Sequence, residues 1–207
     1  MAHQPSTNNK QQTTTLAILA GGKATRLDGT NKALIEIDGA TIIQKVYKTL
    51  SSFCNEIIII SNQPQTNYGI PAKVYPDIIP DCGPLSGIHS ALHHASNNAV
   101  LIAPSDMPFI GYGIVKQLID EYMLNQPNAD IAVPTINGFI EPLLGIYKKD
   151  LENIAFKILQ NKKGYSVNEL VKTNNAIFVE IDATLENINS FININTPPDI
   201  AKAKGLL

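Results

Sequence analysis

Three segments of this sequence carry residue types suited to chemistry, and each follows an apolar run. The first, Leu19 to Lys32, reads LAGGKATRLDGTNK and continues directly from the apolar LAILA. Gly21 and Gly22 allow a backbone to approach a ligand closely with its N–H groups turned inward, and Lys23, Arg26 and Lys32 bring three positive charges into ten residues. Phosphates are the natural guest. The spacing is neither GxxxxGK[ST] nor GxGxxG, which counts against an ordinary P-loop kinase or ATPase and against a dinucleotide oxidoreductase. In the second segment Asp77 follows AKVYP, and six residues later Gly83-Pro84-Leu85-Ser86-Gly87 opens an apolar helix. Free N–H groups and the positive end of that helix suit an anion, and Pro84 suits its first turn. The third is VLIAPSDMPFI, where Asp106 closes an apolar strand. A carboxylate there can bind magnesium, which takes few protein oxygens and completes its shell with phosphates and water.

The elements that must position these residues follow from periodicity. Short β-type runs alternate with helical stretches: LAILA, TIIQKVYKTLSSF, EIIIIS, AKVYP, PLSGIHSALHHA, AVLIAPSD and GIVKQLIDEYML. That alternation predicts an α/β fold with a mostly parallel sheet between helical layers, in which ligands bind at the carboxyl ends of strands. Ile42, Ile43, Val46, Tyr47, Leu50 and Phe53 recur at three- and four-residue steps, the spacing of a core-facing helical stripe. Ile57 to Ile60 form an unbroken apolar run, which predicts a strand buried on both faces in the middle of the sheet. From residue 130 the rhythm loosens through IAVPTINGFIEPLLGIY. Helices are predicted near LENIAFKILQ and SVNELVK, a strand near AIFVEI, and a final helix from Pro197, so residues 130–195 read as an elaboration on the sheet's second half. Residues 1–15 are polar and predict a flexible tail; residues 16–207 show no linker that would divide them.

Composition narrows the classes of function. The 207 residues are 44% hydrophobic, enough for a sizeable core, and the formal charge of −2 argues against a basic nucleic-acid-binding surface. Two cysteines, Cys54 and Cys82, are too few for a disulfide scaffold and too far apart for CxxC chemistry, which fits a reduced, cytoplasmic setting. No apolar run approaches the roughly 20 residues of a membrane span. His89 and His93 have the i,i+4 spacing of a metal-binding pair, but the sequence offers no third ligand, and packing or solvent-facing histidines are the more ordinary outcome.

Taken together, these motifs resemble those of the molybdenum cofactor guanylyltransferase family, within the nucleotidyltransferase superfamily of Rossmann-like, three-layer α/β/α fold with a mixed, mostly parallel sheet. In the first motif Lys23, Arg26, Gly29 and Lys32 are in register. Leu27 stands where Met is usual, Asp28 where Gly is usual and Asn31 where Asp is usual. Gly22 matters because related cytidylyltransferases have LAAG here, so the resemblance implies guanine. Asp77, Gly83, Pro84, Leu85 and Gly87 match the second signature, and Asp106 with Pro108 matches the third, with Ser105 in place of a cysteine. Glu141-Pro142-Leu143 with Tyr147, and Asn193 with Asn195 before Thr196-Pro197, are similar to two later family segments. The resemblance implies transfer of GMP from GTP to the terminal phosphate of molybdenum cofactor, with Mg2+ as metal and cofactor-delivery or acceptor proteins as partners. It puts Leu19, Ala20, Gly21, Gly22, Lys32, Asp77 and Asp106 at the nucleotide, and Arg26, Gly29, Gly83, Gly87, Asn193 and Asn195 along the pterin. Asn193 and Asn195 are expected on one strand face. Lys23, Arg26 and Lys32 would neutralise phosphate, and Asp106 would hold the metal. Two other readings remain open: a nucleotidyltransferase with another base or a sugar-phosphate acceptor, and a catalytically silent nucleotide- or pterin-binding protein.

Overall fold

A computed structural model describes residues 13–21, 26–27, 30–161 and 166–206. Strand β1 (Thr14–Leu19) lies between β6 (Glu56–Ile60) and β8 (Ala99–Pro104), parallel to both, and β6 pairs in parallel with the short β7 (Lys73–Tyr75). Beyond β8 comes β11 (Gly145–Lys148), antiparallel to its neighbours, then β9 (Ile131–Ile136) and the parallel edge strand β12 (Ala176–Glu180). β10 (Phe139–Ile140) folds back on the end of β9. Two small hairpins, β2 (Arg26–Leu27) with β3 (Thr30–Asn31) and β4 (Glu36–Ile37) with β5 (Ala40–Thr41), lie outside this sheet.

Strands covered on both faces carry apolar residues without alternation, and the packing shows why they do so here. Leu16 and Ile18 of β1, with Leu101 and Ala103 of β8, pack beneath α1 (Ile42–Leu50) and α3 (Tyr112–Leu124). The intervening Ala17, Val100 and Ile102 face α2 (Pro84–His94), α4 (Glu152–Gln160) and α5 (Val167–Lys172). The result is the expected three-layer α/β/α architecture with a mixed, mostly parallel sheet. A smaller core joins Ile37, Ile42, Ile194 and Ala203, and so ties α7 (Pro197–Lys204) to the hairpin β4–β5.

Three expectations need correction. The Ile57–Ile60 run lies in β6, next to the sheet's edge strand and not in its middle. Both of its faces are packed, so Ile58, Ile59 and Ile60 are buried without a central position, while Ile57 is half-buried. Thr14 and Thr15, grouped with the tail on composition, lie in β1 and are buried, with the Thr15 hydroxyl donating to Glu56. Residues 192–195 form no strand, so Asn193 and Asn195 share no strand face. Helix α6 (Leu185–Ser190) went unforeseen; its start is capped by Thr184, whose hydroxyl accepts from the Asn187 amide at 3.2 Å.

β11 is held so closely between its neighbours that only glycine fits at its start. A Cβ on Gly145 would lie 2.7 Å from the Ala132 carbonyl oxygen and 2.8 Å from a Val133 methyl. Gly145→Ala is therefore expected to cost about 2 kcal/mol through forced displacement of β9. The check is urea unfolding, where the midpoint should fall with an unchanged m-value; an unshifted midpoint would refute it.

Candidate functional site

The carboxyl ends of β1, β6, β7 and β8 meet along one rim, and main-chain pairing continues past the strands. The Ala20 amide donates to the Ile60 carbonyl at 2.8 Å, Ser61 to Tyr75 at 2.8 Å, and Ser105 to Leu19 at 3.1 Å. These bonds fix the residues that follow each strand. Leu19, Gly21, Lys32, Asp77, Gly83, Gly87, Asp106 and Asn195 accordingly line one cleft of about 620 Å³. Ala20 is buried behind its wall, and Asn193 is not among the lining residues. Gly22, Lys23, Asp28 and Gly29 lie outside the described residues; Arg26 is described by its backbone alone, in β2 opposite Asn31.

Asp77 stands between two bare glycine backbones. A Cβ on Gly21 would come 3.7 Å from its Oδ2, and one on Gly87 would come 3.9 Å from its Oδ1. Asn62 holds this residue twice: its Nδ2 donates to the carboxylate Oδ2 at 2.8 Å, and its Oδ1 accepts from the Asp77 backbone amide at 2.9 Å. The next residue is pinned from α2, where the buried Ser90 hydroxyl accepts from the Ile78 amide at 2.9 Å. Oδ1 of Asp77 is buried with no hydrogen-bond partner. Burial raises the Asp77 carboxyl above the ordinary range, Asn62 opposes this, and the neighbouring Asp81 adds to it. Such a carboxylate gains from a ligand that donates hydrogen bonds to it.

Lys32 begins a short 3-10 turn, is 8% exposed, and donates from Nζ to Asn195 Oδ1 at 3.0 Å. Asn31 starts that turn: its Oδ1 accepts from the Ala33 amide at 3.0 Å, and its Nδ2 donates to Gln63 at 3.2 Å. The residue that departs from the family pattern thus keeps a capping oxygen while adding no negative charge to the cleft. Burial raises the Asp106 carboxyl, against the pull of its own backbone N–H and of Lys32. The Asp106 carbonyl accepts from the Ile194 amide at 2.8 Å.

Sequence reasoning missed Asn62, Ser105 and Leu143 as cleft-lining residues. Asn62 and Ser105 each follow a strand on the binding rim, a positional signal that was available. Leu143 arrives through a self-braced turn. Glu141 Oε1 accepts from the Leu143 amide at 3.1 Å, and the buried Tyr147 hydroxyl donates to the Pro142 carbonyl at 2.6 Å. His93 meets Glu152 at 2.7 Å, while His89 is buried near the Phe156 ring. Among the described residues no group of three metal-ligating side chains occurs, and no helix is long and apolar enough to cross a membrane.

Residues 16–175 match the MobA-like NTP transferase domain. The chain belongs to this family. A relative from Clostridium perfringens, named "Probable molybdenum cofactor guanylyltransferase", is 37% identical over 185 residues, spanning 87% of this chain and 90% of that one. One of the same name from Carboxydothermus hydrogenoformans is 34% identical, spanning 92% and 95% of the two chains. Among solved structures, molybdopterin-guanine dinucleotide biosynthesis protein A from Archaeoglobus fulgidus superposes with a TM-score of 0.76 at 23% identity, covering 93% of this chain and 97% of that one. The fold is that of this family of nucleotidyltransferases.

Proposed function

We propose that this chain transfers GMP from GTP to the terminal phosphate of molybdenum cofactor, yielding the guanine dinucleotide cofactor and pyrophosphate. The observation that carries the reading is the convergence of Gly21, Lys32, Asp77 and Asp106, from separate strand ends, on one cleft. The names of the relatives support the base and the acceptor.

An oxygen of the acceptor phosphate forms the new bond to the α-phosphorus, and the bond from that phosphorus to the β-phosphate oxygen breaks. Pyrophosphate leaves with the electron pair. A phosphate monoester, with its second pKa near 6, is largely dianionic at neutral pH and needs no protein nucleophile. The chain's task is to overcome repulsion between anions and to hold them in line. Lys23, Arg26 and Lys32 neutralise phosphate charge. The backbone of Leu19, Ala20 and Gly21 lies along the nucleotide, with Gly22 assigned to the same loop, and Asp77 accepts hydrogen bonds from guanosine. Gly83, Gly87 and Asn195 border the pterin, to which Arg26 and Gly29 are also assigned.

Asp106 suits Mg2+. Its carboxyl lines the cleft, is destabilised by burial, and has Ser105 beside it, a hard-oxygen setting for an ion that needs only one or two carboxylates from protein. When bound, the ion neutralises charge on the triphosphate and the departing pyrophosphate. Residues from 16 onward act as one nucleotidyltransferase domain, and the small, phosphorylated substrates fit a cytoplasmic setting.

Thermal shift with GTP, CTP, UTP and ATP, each with and without Mg2+, tests the reading. At a hundredfold excess over Kd, GTP with Mg2+ should add about 2.7 kcal/mol, or about 5–10 °C in Tm. Preference for a pyrimidine nucleotide would sink the assignment of the base. GTP binding without pyrophosphate release once the acceptor is added would favour a silent binding protein.

A further inference from the structure

The segment after α6 does more than border the cleft. Asn195 spends its side-chain oxygen on Lys32 Nζ, 3.0 Å away and 163 residues earlier in the chain. One residue before it, the Ile194 amide donates to the Asp106 carbonyl, and the Ile194 side chain is fully buried in the small core with Ala203 of α7. Asn195 is itself fixed from the other side. Its amide donates to Asp199 Oδ2 at 2.9 Å, and the same oxygen receives the Thr196 amide at 2.7 Å and the Thr196 hydroxyl at 2.8 Å. These three donors hold the partly exposed Asp199 carboxyl below the usual range. One carboxylate at the start of α7 therefore locks the backbone that carries both contacts to the cleft.

We infer that Asn195 is a positioning residue for Lys32 in nucleotide binding, and that Asp199 positions Asn195. This rests on the functional reading above and assigns Asn195 work at the triphosphate, before any acceptor arrives. The chemistry favours an amide for the task. A lysine on a flexible four-carbon stem must be ordered to meet a phosphate, and a neutral carbonyl orders it without cancelling its charge. A carboxylate at position 195 would hold Lys32 as firmly but would satisfy the charge that the triphosphate needs.

The experiment is a double-mutant cycle on GTP affinity, measured by calorimetry with Mg2+ and no acceptor, on the full chain. Asn195→Ala should weaken GTP about tenfold, as for loss of a hydrogen bond to a charged group. In a Lys32→Ala background the same change should cost less than about twofold, because the two residues act as a unit. Asp199→Asn should weaken GTP in the native background and have no effect when Lys32 is absent. Asn195 is exposed, so Asn195→Ala should leave Tm close to that of the unaltered protein, whereas Asp199→Asn, which removes the charge that caps α7, should lower it slightly. Unchanged GTP affinity in Asn195→Ala, with only the acceptor KM raised, would overturn the inference and leave the functional reading intact, as would losses that multiply across the cycle. Failure of the unaltered protein to bind GTP would remove the functional reading and this inference together.

Discussion

Asp106→Asn is expected to lower guanylyl transfer by about 10²–10³-fold, a loss of about 3–4 kcal/mol of transition-state stabilisation. The substitution keeps the side chain's size, and the main-chain bond from Ile194 to the Asp106 carbonyl survives it, so the fold stays in place. What changes is charge. In the native chain this carboxyl sits in a desolvated position that favours its neutral form, and Lys32 offsets only part of that cost. Under the proposed function a divalent ion would supply the missing counter-charge, and an amide could not replace the carboxylate as its anionic ligand. The measurement is single-turnover pyrophosphate release at saturating GTP and acceptor, repeated across Mg2+ concentrations. The variant's deficit should persist at the highest Mg2+ tested. Activity within about fivefold of normal would remove Asp106 from the metal assignment.

The second large effect concerns Asp77. Asp77→Asn should weaken GTP binding about 30-fold, because one acceptor oxygen becomes a donor amide facing donors and a desolvated pair is lost. A more telling comparison uses inosine triphosphate, whose base lacks the exocyclic amine of guanine. The native chain should bind it about tenfold less well than GTP, as a site built to hydrogen-bond a group penalises the analogue without it. The variant should lose that discrimination. Its stability without ligand moves the other way: the raised carboxyl pKa in the folded state means that its charge opposes folding at neutral pH, so the neutral amide should raise Tm. Equal loss for both nucleotides would mean that Asp77 reads something other than the base edge.

Local periodicity made much of this architecture legible. The stripe from Ile42 to Phe53 announced α1, and the unbroken apolar runs of β1, β6 and β8 announced strands covered on both sides. What periodicity cannot give is order across the sheet, since burial is the same for any strand with helices above and below; the isoleucine run therefore predicted two buried faces rightly and a central position wrongly. The order and direction of the strands in IAVPTINGFIEPLLGIY were not legible, because β10 is only two residues long and the turn before β11 carries apolar residues. In the cleft, glycines and acids at strand ends were readable because position along a strand implies position on the rim. Asn62 also follows a strand on the rim and could have been read from that position, but its hold on Asp77 is a contact made only in three dimensions. Asn195 was noticed as a polar edge, but its bond to Lys32 depends on folding that no local pattern encodes.

That bond also sets an order of events during synthesis. The four strands whose ends build the rim are complete once Pro104 has been made, and Gly21, Lys32, Asp77, Gly83 and Gly87 all precede it, with Asp106 two residues beyond. The anchor for Lys32 and the carboxylate that locks it come roughly ninety residues later, at Asn195 and Asp199. The cleft is thus assembled from distant parts of the sequence, and its lysine meets its side-chain anchor only through a segment far along the chain.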